Sequence, residues 1–231
     1  MKNILIYMAM LWFGSSSAMA QHKDWAQLNR YAQSNQEWIA KPNTGKRVVF
    51  LGNSITDNWA SMRPDFFTSN GYIGRGISGQ TSYQFLVRFR EDVINLKPAV
   101  VVINAATNDV AENTGPYVED YTFGNIVSMV ELARINHIQV ILTTTLPAAS
   151  FSWNPEIKDA PKKIEHLNTR LKEYATTHNI PFVDYYSAMV SGKEKALNTS
   201  YTKDGVHPTH AGYEVMEKLI QKPLQKILKQ L

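Results

Sequence analysis

Five short apolar segments recur along this chain, and each is separated from the next by enough residues to form a helix. They cover residues 46–51, 72–77, 99–103, 138–143 and 181–184. The third of them, Ala99-Val100-Val101-Val102-Ile103, is continuously apolar and mostly β-branched, which is typical of a strand covered on both faces. Strands that alternate with helical crossovers favour a parallel sheet. The sequence therefore predicts an α/β fold, a three-layer α/β/α sandwich around a five-stranded parallel sheet.

Helical spacing of apolar residues predicts the intervening helices. They are expected over residues 22–38, 59–69, 83–96, 117–136, 162–178 and 209–229. Pro64 lies near the middle of the second of these segments and leaves the extent of that helix open. Residues 146–161, with three prolines, are expected to form an irregular loop.

The first 20 residues have the pattern of an export signal. Lys2 is followed by an apolar run over 4–13, which is too short to span a bilayer, and then by small residues that end at Ala20. We expect cleavage before Gln21, a single domain over 21–231, and a periplasmic or secreted location. The chain has no cysteine, which fits a bacterial exported protein stabilised by its core. A buried N-terminal helix is the alternative.

The charge balance gives no reason to expect a nucleic-acid partner. The net charge is +4 for the whole chain, and removal of Lys2 with the signal leaves +3. Outside the signal no stretch is apolar and long enough for stable membrane insertion. Lysines recur at helical spacing in the last helix, which favours a solvated face over a membrane surface. The oligomeric state is left open.

Ser54 follows the first predicted strand, two residues after Gly52. Open parallel sheets bind ligands beyond the carboxyl ends of their strands, so this serine is placed where a nucleophile is useful. The alternative is that Ser54 only caps the helix that follows, since serine is a favoured N-cap.

Ester hydrolysis by a serine requires a base, a group that orients the base, and donors for the oxyanion. His207 is the candidate base, and Asp204, three residues earlier, is the candidate partner of its ring. The candidate oxyanion donors are the backbone N–H groups of Ser54 and Gly79 and the side-chain amide of Asn108. Gly79 and Asn108 follow the second and third strands, so their loops should open at the same sheet edge as Ser54.

Four segments resemble, in order, those of the SGNH hydrolases, also called GDSL-like lipases and esterases. They are Gly52-Asn53-Ser54-Ile55-Thr56, Gly76-Ile77-Ser78-Gly79-Gln80-Thr81, Ala106-Thr107-Asn108-Asp109 and Asp204-Gly205-Val206-His207-Pro208. The resemblance implies a flavodoxin-like sheet. It also implies a triad of Ser54, His207 and Asp204, with an oxyanion hole from Ser54, Gly79 and Asn108.

Two residues depart from that family pattern. Asn53 stands where the family usually has Asp, and because this position is outside the triad we expect little loss. Ala106 stands where Gly is usual. If the position requires a positive φ, the alanine is expected to strain the loop by about 1 kcal/mol.

A domain of this size leaves no room for a separate lid, so we expect an open groove. Trp59 and Met62 after the nucleophile, and Phe151 and Trp153 after the fourth strand, are candidate walls, with core packing as the alternative for each. Such a groove favours a short acyl group on a larger alcohol, such as an acetylated sugar.

Three other functions are weighed against this exported esterase. One is a lysophospholipase or thioesterase acting on lipid acyl groups. Another is a metal-dependent hydrolase using His207 and His210, for which the sequence offers no third ligand, so neither a metal nor another cofactor is expected. The last is a non-catalytic glycan-binding module, and the intact serine, histidine and aspartate argue against it.

Overall fold

The computed structural model describes residues 24–231, and five parallel strands form its central sheet. The strands are β1 (Val48–Gly52), β2 (Tyr72–Gly76), β3 (Val100–Ile103), β4 (Gln139–Thr143) and β5 (Phe182–Val183). Their order across the sheet is β2-β1-β3-β4-β5, and every neighbouring pair is parallel. This is the flavodoxin-like order, and it confirms the predicted three-layer α/β fold.

The helices connect these strands and follow the last one. They are α1 (Ala32–Ala40), α2 (Ser54–Met62), α3 (Pro64–Thr68), α4 (Ser82–Asp92), α5 (Thr107–Val110), α6 (Glu119–Ile135), α7 (Ala160–Thr177), α8 (Tyr185–Met189) and α9 (His210–Leu228). A 3-10 turn covers Ile94–Leu96, and a short antiparallel hairpin pairs β6 (Val190–Ser191) with β7 (Ala196–Leu197). In the part of the chain that the structure describes, no helix has the length and apolar character needed to cross a bilayer.

Two predicted helices differ from those observed. The helix expected from residue 22 begins only at Ala32, because the preceding residues form turns in which the Asp24 carboxylate accepts the backbone N–H groups of Leu28 and Asn29. The helix expected over 59–69 is two helices, since Pro64 begins α3 as its first residue. The predicted export signal lies outside the described residues.

The side chains of the sheet point alternately into two hydrophobic cores. On β1, Val49 and Leu51 pack on one face against α4, α6 and α7, while Val48 and Phe50 pack on the other against α2, α3 and α9. All four are at most 2% exposed. This burial on both faces explains why the strand has no polar position.

The order of the strands fixes the position of a cleft. The chain runs outward from β1 to β2 and then returns across β1 to β3. At such a reversal the loops that follow the two central strands diverge and leave a crevice at their carboxyl ends. The segments that carry Ser54 and Asn108, at the starts of α2 and α5, follow β1 and β3 and border this crevice.

Candidate active site

A tight turn from β1 into α2 carries Ser54. A side chain at Gly52 would place its Cβ only 2.0 Å from Oγ1 of Thr56, so only glycine allows the helix to fold back so closely. Asn53 then caps α2, because its Oδ1 accepts the backbone N–H of Ile55 at 3.0 Å. Ser54 therefore stands at the first turn of the helix, where backbone N–H groups have no partner within the helix. Ser54 is thus the first residue of α2, and the residue that caps this helix is Asn53, not Ser54.

His207 is held by a loop that is organised around Asp204. The Oδ1 atom of Asp204 accepts the backbone N–H groups of Val206 at 2.9 Å and His207 at 2.8 Å. Its other oxygen, Oδ2, lies 2.7 Å from Nδ1 of His207. Thr202 closes the loop, since its hydroxyl donates to the backbone carbonyl of His207 at 2.9 Å. One carboxylate thus fixes both the backbone and the ring of His207.

These hydrogen bonds keep Asp204 ionised. Partial burial alone would raise the pKa of its carboxyl group, but the bonds from the backbone and ring of His207 and from the backbone of Val206 outweigh that effect and lower the pKa to about 2. At neutral pH the carboxylate is therefore charged and accepts the Nδ1–H of His207. The tautomer that results has a free lone pair on Nε2.

The structure brings Ser54 and His207 together from opposite ends of the chain. Oγ of Ser54 lies 2.8 Å from Nε2 of His207, although 153 positions separate the two residues. With the proton of His207 on Nδ1, the serine hydroxyl donates to Nε2. A continuous chain of hydrogen bonds thus runs from the hydroxyl through the imidazole to the carboxylate of Asp204. A nucleophile and its base within this distance are the arrangement that serine acylation requires.

Gly79 and Asn108 border the same cleft as Ser54. Gly79 has φ +80°, a backbone conformation that is unfavourable for residues other than glycine. The side-chain Nδ2 of Asn108 donates one hydrogen to the backbone carbonyl of Gln80 at 2.9 Å, which leaves the second hydrogen of the amide available. The cleft has a volume of about 420 Å³, and its lining residues are Ser54, Asn58, Ser78, Gly79, Asn108, Asn113, Trp153 and His207.

Ala106 has the strained conformation that the sequence led us to consider. Its φ is +81° and its ψ is −13°, in the left-handed region that favours glycine. The residue precedes α5, the short helix that carries Asn108, and it is fully enclosed by the core. Packing therefore holds Ala106 in this left-handed conformation, whose strain costs about 1 kcal/mol.

The candidate aromatic walls lie in different places. Trp153 is 45% exposed and lines the cleft, with its ring centroid 6.3 Å from that of His207. The prediction for Phe151 is wrong, because this ring is fully buried and does not line the cleft; it packs against Trp153, at 5.2 Å between ring centroids. The prediction for Trp59 is wrong as well, because its ring is 2% exposed and stacks on Phe66 in the core. Met62 also packs against that core and does not line the cleft.

A buried charge network lies behind the loops that carry Ser54 and Gly79. The guanidinium of Arg88, fully buried on α4, donates to the backbone carbonyl of Gly52 at 2.9 Å and to Oε1 of Gln80 at 2.7 Å. It also pairs with Asp92 at 2.8 Å. Burial lowers the pKa of Arg88, while the Asp92 carboxylate acts in the opposite direction. No sequence pattern distinguishes this arginine, since a charged residue on a helix is usually solvated.

His210 does not approach the arrangement suggested for a metal pair. It is exposed and begins α9, whereas the ring of His207 is engaged by Asp204 and Ser54. Among residues 24–231, no group of three or more histidine, aspartate or glutamate side chains is placed to hold a metal ion.

The fold is an α/β sandwich with a cleft at the switch point of its parallel sheet. The chain belongs to the GDSL-like lipase/acylhydrolase family, whose model matches residues 50–215. It is accordingly a carboxylic ester hydrolase.

Two solved structures are strongly similar over most of this chain. One is a proposed acylhydrolase of Bacteroides fragilis, 74% identical, covering 89% of this chain and 99% of that one with a TM-score of 0.88. The other is a GDSL-like lipase of Bacteroides thetaiotaomicron, 65% identical, covering 87% and 98% with a TM-score of 0.85.

Two acetylxylan esterases are more distant relatives. That of Xylanibacter ruminicola is 24% identical over an alignment 210 residues long that covers 75% of this chain and 42% of that protein, so the match spans less than half of the relative. That of Geobacillus stearothermophilus is 24% identical over an alignment 210 residues long that covers 77% of this chain and 93% of that protein.

Proposed function

We propose that this protein is a serine esterase that uses Ser54 as nucleophile, His207 as general base and Asp204 as the group that orients the base and stabilises its protonated form. The hydrogen-bond chain from Ser54 through His207 to Asp204 is the observation that carries the proposal. Each member has the chemistry that its role demands: a hydroxyl, an imidazole whose Nε2 faces that hydroxyl, and an ionised carboxylate.

The reaction proceeds in two steps. Nε2 of His207 takes the proton of the Ser54 hydroxyl as Oγ attacks the ester carbonyl, and the same nitrogen returns that proton to the leaving alcohol when the acyl-enzyme forms. Water then attacks the acyl-enzyme, again with His207 as base, and the acid leaves with Ser54 restored. The negative charge of Asp204 stabilises the imidazolium at each stage.

The oxyanion of each tetrahedral intermediate is stabilised by the N–H groups of Ser54 and Gly79 and by the amide of Asn108. Ser54 lies in the first turn of α2, where the positive end of the helix dipole adds to the effect of its N–H. The amide of Asn108 is 2% exposed, so its bond to the oxyanion is formed away from bulk water and is correspondingly strong.

Asn108→Ala is expected to lower kcat by about 10²–10³-fold with little change in KM, since it removes a donor that acts on the transition state. The measurement is steady-state hydrolysis of 4-nitrophenyl acetate. Asn58→Ala, which changes another asparagine of the cleft lining, is the matched comparison. An Asn108→Ala enzyme with the kcat of the wild type would remove this residue from the oxyanion hole.

The preferred substrate in this proposal is a short acyl group, acetate above all, on a carbohydrate. The acetylxylan esterase relatives support this class, at 24% identity. A cleft of about 420 Å³ that is rich in small and polar side chains also favours an acetyl group over a long chain. Trp153 offers an exposed indole against which the apolar face of a sugar ring can pack.

Hydrolysis of 4-nitrophenyl esters tests the acyl preference. We expect kcat/KM to fall from acetate to butyrate to decanoate, because the cleft has no long apolar channel among its lining residues. A preference for decanoate would instead support the alternative of a lipid acylhydrolase. Activity that a chelator abolishes would support the metal-dependent alternative.

We also propose that the enzyme acts outside the cytoplasm as a mature domain of residues 21–231. The sequence of the first 20 residues supports this, through its basic start, short apolar run and small residues before Gln21. Sequencing of the N-terminus of the protein recovered from the producing cells tests this proposal. Gln21 is the expected first residue, and an N-terminus at Met1 would contradict the proposal.

A further inference from the structure

Asn113 lies at the edge of the cleft and bonds to two of its other lining residues. Its Nδ2 donates to the backbone carbonyl of Gly79 at 3.1 Å, and its Oδ1 accepts the indole N–H of Trp153 at 2.9 Å. The orientation of the amide is unambiguous, because a carbonyl can only accept and an indole N–H can only donate. Asn113 therefore joins the loop after β2 to the loop after β4.

The backbone of Asn113 is itself fixed to the third loop of the site. Its N–H donates to the carbonyl of Asn108 at 3.0 Å. A neighbouring bond, from Nδ2 of Asn154 to the carbonyl of Ala111 at 2.9 Å, ties the loop after β4 to the same segment. The amide of Asn113 is thus anchored at its base before it reaches Gly79 and Trp153.

The bond to Gly79 restrains a residue that has no side chain for packing to hold. Gly79 has a positive φ, and no atom lies within 4 Å of the position that a Cβ would occupy, so nothing packs against its Cα on that side. The peptide group that follows it is held at both ends: its oxygen by Asn113 and its N–H, from Gln80, by the carbonyl of Ile77 at 3.3 Å. Holding this peptide group limits rotation about the Cα of Gly79, and hence the direction of its own N–H.

The bond to Trp153 places the indole on the side of the leaving alcohol. The ring lies beside His207, which in the proposed mechanism returns its proton to that alcohol. Phe151 packs against the indole, and because the ring is 45% exposed, its orientation also depends on the bond to Asn113.

We propose that Asn113 is a positioning residue with two roles: it aligns Gly79 for the oxyanion and holds Trp153 as the surface that binds the sugar portion of the substrate. This inference rests on the proposed esterase function. It assigns to one exposed amide a contribution to kcat through Gly79 and a contribution to KM through Trp153.

Two variants separate these roles. Asn113→Asp keeps an acceptor for the indole but removes the donor to Gly79 and sets a carboxylate oxygen against its carbonyl. It is expected to lower kcat roughly tenfold, less than the complete loss of an oxyanion donor. Trp153→Phe keeps an aromatic ring but removes the N–H. It is expected to raise KM for a sugar ester about fivefold, the factor that one ordinary hydrogen bond contributes.

The experiment measures acetate release from per-acetylated xylose and from ethyl acetate, whose leaving group has no ring. Asn113→Asp should lower kcat on both esters, and Trp153→Phe should raise KM on the sugar ester alone. Asn136→Asp removes another exposed amide bond to a backbone carbonyl, and Trp25→Phe alters another exposed indole; both should match the wild type.

Unchanged kcat in Asn113→Asp would overturn the role toward Gly79, and unchanged KM for the sugar ester in Trp153→Phe would overturn the role toward the substrate. Failure of the proposed function would give a different result from either of these. The wild-type enzyme would then hydrolyse neither acetate, or the activity would survive the loss of Ser54.

Discussion

Ser54→Ala is expected to lower kcat for ester hydrolysis by at least about 10⁴-fold, because the other serine that lines the cleft, Ser78, bonds to the carboxylate of Asp57 and not to His207. The hydroxyl is the atom that attacks the carbonyl, and its bond to His207 is the first link of the hydrogen-bond chain. The substitution removes one oxygen from a partly exposed position and leaves the cap of α2 on Asn53, so the fold should persist.

Steady-state kinetics on 4-nitrophenyl acetate and thermal unfolding together test this expectation. Ser61→Ala is the matched control, since Ser61 lies on the same helix, is exposed and bonds only to the carbonyl of Asn58. It should keep wild-type activity. A Ser54→Ala enzyme that retains a tenth of the wild-type kcat would mean that water is activated without a covalent intermediate.

Arg88→Met is expected to have the largest effect on stability. It leaves the carboxylate of Asp92, which is 2% exposed, without its cation, and breaking one side of a buried ion pair costs about 3–5 kcal/mol. The backbone carbonyls of Gly52 and Arg75 also lose a donor. For a domain of this size we expect Tm to fall by about 10 °C or more.

The control for this prediction is Arg90→Met, the same substitution two residues further along α4 at an exposed position. Urea and thermal unfolding of both variants provide the comparison, and Arg90→Met should stay within about 0.5 kcal/mol of the wild type. Equal unfolding free energies for the two variants would show that the buried network contributes no net stability.

The sheet could be predicted from the sequence because its strands are short, continuous apolar runs. An apolar run such as Val100–Ile103 is too short for a helix, and with a helical pattern on each side it fits a buried strand. The hairpin of β6 and β7 could not be predicted, since each strand has only two residues and a segment so short shows no alternation of apolar and polar residues. The start of α1 was missed because turns held by Asp24 precede it.

The candidate site was predictable where its residues fall directly after strands. Ser54, Gly79 and Asn108 follow β1, β2 and β3, and strand ends of a parallel sheet meet at one edge. Trp59 was misplaced although its spacing held the answer: it lies four residues after Ile55, so both face the core. Asn113 and Arg88 act through contacts between distant loops, and no local pattern encodes such contacts.

Covalent labelling of the wild-type enzyme tests the central claim most directly. A fluorophosphonate reacts with a serine only when a neighbouring base activates it, and mass spectrometry of the digested protein identifies the residue that carries the phosphonyl group. The account predicts stoichiometric labelling at Ser54, lost in His207→Ala. Labelling of another residue with activity abolished, or full activity after Ser54 is labelled, would contradict it.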